Sequence, residues 1–418
     1  MLVDGIGAEL DAVLDTAAVS PVFQPIVSLR DGVTVAYEAL ARGPSGPLHT
    51  PDRLFGAARE RGRLDELDAL CQRQAVAAAV RAGLCRPATL FVNVEPAAMT
   101  EQGPLPELLA ARRVHGLPVV VEVTERALLA DPARLLSFAQ TLRAEGVGLA
   151  LDDVGADPAS LALMPFLQPD VVKLDLGVVQ RHSGPEQARI MTAVTAFAEE
   201  SDAIVLAEGI ETAVHEQVAR SLGATHGQGW RFGRPGPLGS TPPPTDGHVL
   251  PAPRPPVAGR RNDSPFAIAA RHREPLQGSR RLLGEVSRLI EEHAVVMDGP
   301  SVILAALEEE RHVTPAVARR YAALATRATL VVALGTGLDA EPVPGVRGID
   351  LAGSDPLREE WSVVVLGPHF AGALVARDRH DEAPDGDRLF DYVLTYDRTV
   401  VTTMARSLMS RALSRPED

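Results

Sequence analysis

Cysteine is scarce in this chain of 418 residues, which contains only Cys71 and Cys85. Both lie in one stretch with helical periodicity, and their spacing is not that of metal ligands. The sequence therefore excludes a disulfide framework. We expect both thiols to be reduced, as in a cytoplasmic protein.

The sequence also lacks long apolar runs and an excess of basic side chains. No run approaches the roughly 18–20 apolar residues of a membrane-spanning helix. The amino-terminal stretch MLVDGIGAELDAVLDTAA carries acids and no basic n-region, unlike a signal peptide. The net charge is −14, from 41 basic and 55 acidic side chains. We therefore expect a cytoplasmic location with no membrane partner and no direct binding of DNA or RNA, and an anionic ligand would need metal ions and a few placed arginines.

Short strand-like runs alternate with helix-like stretches as far as residue 238. The helices show apolar residues at i, i+3 and i+4, and several are followed by glycine, as at Gly83, Gly146 and Gly223. This alternation predicts parallel strands with crossover helices. Eight such strands predict an α/β fold, a TIM-like (β/α)8 barrel. An open doubly wound sheet is the alternative, but it would gather its ligands at one switch point.

Three regions follow from this organisation: a barrel at 1–238, a linker at 239–263 and a smaller mixed α/β domain at 264–418. Nine prolines between Pro235 and Pro256 predict an extended, semi-rigid linker. In the last region the predicted helices are SRRLLGEVSRLIEEHA, SVILAALEEER, TPAVARRYAALATRA and the closing RTVVTTMARSLMSRAL. The predicted strands between them are TLVVALG, VRGIDL, WSVVVLG, GALVARD and YVLTYD.

The apolar runs of the first region nearly all end in an acid, an amide or a lysine. The carboxyl ends of parallel barrel strands meet at one mouth, so these groups should converge there. Many acids in one pocket need cations to balance their charge. A single acid at a strand end is more often a helix cap or a solvated residue, but that explanation fits the joint pattern poorly. The candidate donors of oxygen ligands are Glu38, Asn93, Glu122, Asp152 and Asp153.

Hard oxygen donors favour Mg2+ or Mn2+ over zinc. The adjacent pair Asp152 and Asp153 suits two ions, one carboxylate bridging both. Two-metal sites activate water and stabilise in-line displacement at phosphorus. Lys173, two residues before Asp175, is placed to orient that water or steady the developing charge.

Seven motifs together resemble the EAL domain, a family of phosphodiesterases that hydrolyse cyclic di-GMP. The family's name motif stands here as Glu38-Ala39-Leu40, followed by Arg42, within FQPIVSLRDGVTVAYEALARG. The other motifs follow in order over residues 15–238 as FVNVEP, VEVTE, LDDVG, VVKLD, AEGIET and GQGWRFGRP. The resemblance implies a barrel whose first strand runs against the others, two metal ions per active site and a homodimer.

The resemblance also implies a role for each matching residue. Catalytic roles fall to Lys173, Glu208 and Gln228, of which Glu208 would bind the second metal or act as a base. Substrate contacts fall to Gln24, Arg42 and Glu211, the arginine by a charge-assisted contact. Glu125 would anchor the loop after Asp153. The implied metal ligands are Glu38, Asn93, Glu122, Asp152 and Asp153.

The loop after the paired aspartates departs from the family pattern. The family has an aromatic residue followed by Gly-Thr-Gly-Tyr-Ser, whereas this chain has Val154-Gly155-Ala156-Asp157-Pro158-Ala159-Ser160. All implied metal ligands are kept, which favours hydrolysis of cyclic di-GMP to linear pGpG. The changed loop favours the alternative, a receptor that binds cyclic di-GMP without turnover. A dimerisation scaffold with no nucleotide affinity is the third reading.

The carboxy-terminal region resembles the DICT domain, a presumed sensory module found with cyclic dinucleotide enzymes. The resemblance is carried by SDPLREEWSVVVLGPHFAGALVARD and RLFDYVLTYDRTVV. It implies that residues 264–418 modulate the barrel. Trp361 and Tyr392 are candidates for a ligand pocket, although aromatic residues in strands are more often core. The last helix has an apolar face suited to its own sheet or to a second copy.

Overall fold

The computed structural model describes residues 2–95, 105–124, 132–157, 159–180, 184–239, 250, 263–296, 300–309, 313–384 and 386–411. The chain divides into two compact units, one built around a barrel and the other around an open sheet. The predicted linker at 239–263 falls almost wholly outside the described residues, so its bounds stay a prediction. Among the helices that are described, none has the length and apolar character needed to cross a membrane.

Eight strands of the first unit close into a barrel in chain order, β1 to β8. Strand β1 runs antiparallel to β2 and β8, and the other neighbours are parallel. The predicted TIM-like barrel with a reversed first strand is therefore confirmed. The strands β1 to β8 span, in order, Ser20–Ser28, Thr34–Arg42, Thr89–Asn93, Val119–Thr124, Gly148–Val154, Val171–Leu174, Ile204–Ala207 and His226–Gln228.

Helices alternate with these strands, as the periodicity predicts. The glycines expected after helices, Gly83, Gly146 and Gly223, have φ values of 76°, 66° and 85°. These are left-handed conformations that glycine adopts without strain, so each glycine ends its helix. The helices in this part of the chain span Leu2–Asp15, Pro51–Glu60, Leu64–Arg81, Leu105–His115, Pro132–Ala144, Ala159–Leu167, Leu176–Gln180, Pro185–Ser201 and Ala213–Ser221.

One layer of buried apolar side chains sets the register of the candidate site. Side chains alternate between the two faces of a strand, so residues two apart point the same way. Seven apolar members of the layer each have a polar side chain two residues away on the same face. In β1, which runs in the opposite direction, the polar residue comes first. The layer includes Ile26, Ala36, Phe91, Val120, Ala150, Val171 and Leu206, and the matching polar residues are Gln24, Glu38, Asn93, Glu122, Asp152, Lys173 and Glu208.

The second unit contains a seven-stranded mixed sheet in the order β12-β11-β10-β13-β14-β15-β9. Strands β10, β11 and β12 are parallel to one another, and the remaining pairs are antiparallel. The predicted mixed α/β character is confirmed. Strands β9 to β15 span Leu276–Ser279, Val302–Glu309, Leu330–Thr336, Arg347–Asp350, Glu360–Leu366, Ala371–Asp378 and Leu389–Thr395. The helices span Pro265–Ala270, Arg280–Val296, Pro315–Ala325 and Arg398–Ser410, with a 3-10 turn at Pro356–Glu359.

The predicted helix at SVILAALEEER was wrong, because this segment forms the central strand β10. It pairs with β11 on one side and β13 on the other. The run Val302 to Ala306 is buried on both faces, and a short, continuously apolar run does not distinguish a buried strand from a helix. Tertiary burial therefore decided its conformation.

Aromatic residues of the second unit pack in its core. Trp361 and Tyr392 are partly buried against the main apolar cluster. The ring of Trp361 meets Phe390 edge-on at 6.1 Å. The closing helix buries Val401, Met404 and Leu408 completely, and it packs on strands β13 and β14 of its own sheet.

Candidate functional site

A single buried lysine lies at the centre of the barrel mouth. Nζ of Lys173 is 2.7 Å from Glu122 Oε1, 2.7 Å from Glu208 Oε1, 3.0 Å from Asp152 Oδ1 and 3.7 Å from Glu38 Oε1. Lys173 is fully buried. The surrounding carboxylates raise its pKa well above the usual value, although burial alone would lower it. The ammonium therefore stays charged, and one positive charge faces four acids.

Amide side chains hold the carboxylate of Glu38 from two sides. Gln228 Nε2 donates to Oε2 at 2.6 Å, and Asn93 Nδ2 donates to Oε1 at 3.2 Å. Burial raises the pKa of Glu38, but Lys173 and these hydrogen bonds outweigh it, so the pKa is lowered overall. Gln228 also donates to Gln24 Oε1 at 3.2 Å. Hydrogen bonds therefore join four predicted site residues in one group: Gln24, Glu38, Asn93 and Gln228.

Two other acids of the mouth, Glu122 and Glu208, have pKa values that are raised instead of lowered. Burial, followed by the charge of Glu38, raises the pKa of Glu122 well above its usual value. Burial also raises the pKa of Glu208 to about 8. Both oxygens of Glu122 are buried, and Oε1 faces the ammonium of Lys173 at 2.7 Å. The cluster has more acid than Lys173 can balance, so its donor set fits divalent cations that prefer oxygen ligands.

An unusual backbone conformation at Asp153 lets the side chains of Asp152 and Asp153 lie on the same side of the mouth. Successive strand residues normally point to opposite faces. Asp153 has φ of 56°, and the pairing of β5 with β6 shifts register between Leu151 and Val154. Asx residues tolerate this left-handed conformation better than most. Carboxylate oxygens of Asp152, Asp153 and Glu208 lie within 4.8 Å of one another, close enough to hold one ion.

Arg42 and Glu211 each make a hydrogen bond to a residue that is not part of this cluster. Nη1 of Arg42 donates to the carbonyl of Ala41 at 2.8 Å. Glu211 is exposed, and its backbone N–H donates to His215 Nδ1 at 3.3 Å. Glu125 falls outside the described residues. The predicted roles of these residues stay predictions.

Sequence reasoning missed a buried polar pair behind the mouth. Asp68 and Gln72 lie on helix Leu64–Arg81, and Gln72 Nε2 donates both to Asp68 Oδ2 at 2.7 Å and to the carbonyl of Asn93 at 3.1 Å. Asp68 also accepts from the N–H of Glu95 at 3.1 Å. Burial raises the pKa of Asp68 to about 8. The available signal was an i, i+4 polar pair within an apolar helical stretch.

A second signal was available in the composition. Lys173 is the only lysine among the 41 lysine and arginine residues of the chain. A compact ammonium and a planar guanidinium are not interchangeable at a crowded acidic site. A lone lysine at the end of a buried strand is therefore, by itself, a strong indication of a functional site.

Fold and site together define a class, a TIM-like barrel with a reversed first strand and an acidic mouth whose oxygen donors fit divalent cations. The family model of the EAL domain matches residues 8–235, more than half of the chain, so this chain belongs to the EAL family. A second family model, "Sensory domain in DIguanylate Cyclases and Two-component system" (DICT), matches residues 267–379. The resemblance to both families is confirmed.

Curated relatives match the EAL part of the chain. The chain is 32% identical over 224 residues to "Cyclic di-GMP phosphodiesterase NbdA" of Pseudomonas aeruginosa, which covers 52% of this chain and 29% of that protein. It is 30% identical over 234 residues to "Cyclic di-GMP phosphodiesterase RocR" of the same organism, covering 54% and 59% respectively. The chain thus spans less than two thirds of each of these relatives.

A solved structure described as "PaMucR Phosphodiesterase, c-di-GMP complex" has a similar fold. Its TM-score is 0.50 at 25% identity, and the match covers 56% of this chain and 98% of that chain. The barrel accounts for the likeness, since the covered share of this chain is close to the extent of the EAL match.

Proposed function

We propose that the barrel hydrolyses cyclic di-GMP to linear pGpG using two divalent ions, Mg2+ or Mn2+, and that the DICT domain modulates it. The observation that carries this proposal is the excess of acid around the buried Lys173, with four carboxylates within 3.7 Å of one ammonium. The names of the relatives support the substrate. The predicted cytoplasmic location and homodimer belong to the same proposal.

The donor set fits two cations. Glu38, Asn93, Glu122 and Asp152 would hold one ion, and Asp152, Asp153 and Glu208 would hold the other. When bound, such ions act as Lewis acids that make a water nucleophilic at neutral pH and neutralise phosphoryl charge. The acids are supplied by separate strands of one barrel, so the fold fixes them before substrate arrives.

The reaction would be an in-line displacement at one phosphorus. The oxygen of water forms a bond to phosphorus and gives up a proton, the bond between phosphorus and the ribose 3′ oxygen breaks, and the released 3′ oxygen takes up a proton. Lys173 would orient the water and stabilise charge on the phosphoryl oxygens. Gln228 holds Glu38 in place, and we assign Gln24 and Arg42 to the substrate, the arginine by charge-assisted hydrogen bonds.

The test is product formation from cyclic di-GMP, followed by chromatography with Mg2+, with Mn2+ and with chelator. We expect pGpG only when a divalent ion is present. Glu38→Gln removes one ligand charge and should abolish turnover, whereas Glu60→Gln, the same change at an exposed helix end, should not. Full turnover by Glu38→Gln would refute the assignment of the metal site.

The altered loop after Asp153 supports a second candidate, a receptor that binds cyclic di-GMP intact. Gly155 has φ of 95°, and a Cβ there would lie 2.7 Å from Val178 Cγ2, so this tight turn differs in sequence but is well packed. Tight binding by equilibrium dialysis without pGpG, in the presence of either ion, would favour the receptor. No binding at all would favour a scaffold.

A further inference from the structure

The turn after strand β8 lies at the rim of the barrel mouth. Its first residue, Gln228, reaches Glu38 inside the site at 2.6 Å. The turn closes as the N–H groups of Phe232 and Gly233 donate to the carbonyl of Gly229 at 3.0 and 3.1 Å. The carbonyl of Gly233 then accepts from Gln24 Nε2 at 3.2 Å. Both ends of the turn therefore contact side chains of the site.

This turn carries an exposed tryptophan with a guanidinium over its ring. Trp230 is 52% exposed, and the guanidinium carbon of Arg234 lies 3.9 Å from the ring centroid. Such a cation–π contact fixes the indole orientation. Burial of a large aromatic surface is strongly favourable, so an indole left half exposed beside a ligand site is suited to covering by a ligand.

The inside of the mouth and its rim offer different chemistry. The described groups around Lys173 are carboxylates and amides, which suit metal ions and, only through those ions, a phosphodiester. A cyclic dinucleotide also presents two purine bases, whose flat faces bind best to aromatic rings and guanidinium planes. Guanine adds two acceptors, O6 and N7, that match the N–H donors of arginine. The described groups inside the mouth suit the metal ions and, through them, the phosphodiester, whereas the Trp230–Arg234 pair suits the purine bases.

We propose that Trp230 and Arg234 form a stacking platform for one guanine base of the bound dinucleotide. The proposal rests on the proposed function, because it needs cyclic di-GMP or pGpG as the ligand. The indole supplies the stacking face. Arg234 covers the opposite face of the indole and holds the ring in this orientation. The pair acts on affinity for the nucleotide and not on the displacement at phosphorus.

Tryptophan fluorescence tests the stacking directly, since the chain has only two tryptophans. Trp361 lies in the other unit and serves as an internal reference. The probes are pGpG with Mg2+ and cyclic di-GMP with chelator, neither of which is turned over under the proposed function. We expect quenching on binding in the wild-type protein and none in Trp230→Phe. Binding is measured independently by equilibrium dialysis.

Kinetics separate a stacking role from a structural one. Trp230→Leu should raise KM for cyclic di-GMP roughly tenfold or more, the range for loss of one base stack, with kcat within about twofold. Trp230→Phe should recover most of the affinity, and Arg234→Gln should raise KM by a smaller factor. Arg231→Gln is the matched control, because its guanidinium contacts Glu216 Oε2 at 2.7 Å instead of the indole.

Each outcome is decisive. Quenching with a raised KM supports the platform. Dialysis that shows binding, with unchanged emission and an unchanged KM in Trp230→Leu, overturns the platform and leaves the proposed function intact. If neither nucleotide binds and no pGpG forms from cyclic di-GMP with Mg2+ or Mn2+, both proposals are overturned.

Discussion

Replacement of the central lysine by methionine tests whether the barrel mouth is a charge-deficient cation site. Lys173→Met keeps a long unbranched side chain and removes the positive charge that lies among four carboxylates. At an effective dielectric of about 20, one contact at 2.7 Å corresponds to about 6 kcal/mol of attraction. Desolvation cancels part of it, and loss of one partner of a buried ion pair costs about 3–5 kcal/mol in unfolding free energy.

The measurement is calorimetric unfolding in EDTA, repeated with Mg2+ and Mn2+. For a barrel of this size, a loss of about 3–5 kcal/mol lowers the unfolding midpoint by roughly 6–20 °C. Divalent ions should stabilise Lys173→Met more than the wild-type protein, because they restore the missing positive charge. Arg73→Met, at an exposed position on the barrel unit, should leave the midpoint nearly unchanged.

A double-mutant cycle isolates the pair that carries the effect. Glu122→Gln in the Lys173→Met background removes the acid left without its partner, so it should recover part of the lost stability. If Lys173→Met unfolds in EDTA at the wild-type midpoint and divalent ions stabilise both proteins equally, the lysine is not the counterion of this cluster. The metal assignment would then lose its main physical support.

Three further outcomes are expected. Glu38→Gln should lose turnover and keep the wild-type circular dichroism spectrum, because its neighbours Asn93 and Gln228 can still bond an amide. Asp68 has a folded pKa of about 8, above its unfolded value near 4. The folded state therefore keeps the proton to higher pH, and the stability that Asp68 contributes falls as pH rises from about 4 to 8. Asp68→Asn should flatten that fall in the free energy of unfolding measured with urea. Selective 15N-lysine labelling gives one side-chain signal, that of Lys173, and it should show no deprotonation up to pH 10.

The barrel and its polar mouth could be predicted from sequence because both depend on period-two alternation. Glu38, Glu122 and Lys173 follow apolar residues of one buried layer by two positions, and that spacing is visible in the chain. Asp68 and Gln72 could not be predicted, because their burial depends on how one helix packs behind Asn93. The segment SVILAALEEER was assigned to a helix for a similar reason. Its neighbours β11 and β13 made it a strand.

The backbone of Asp153 shows another limit of sequence reasoning. The pair Asp152 and Asp153 predicted two ligands on one side of the mouth, although adjacent strand residues alternate in direction. The structure resolves the conflict with a left-handed Asp153 and a register shift. A residue in this sparsely populated region is held there by its surroundings, and such residues concentrate at functional sites.

The single lysine links composition to the chemistry of the mouth. With arginine at every other long basic position, the chain uses an ammonium only where four carboxylates lie within 3.7 Å of one nitrogen. A guanidinium is planar and donates as a fork, so it pairs with one or two carboxylates and not with four around a point. The ammonium is compact enough to share the mouth with cations on the same acids. The geometry therefore requires lysine at position 173, and Lys173→Arg should displace the acids that the proposed ions need.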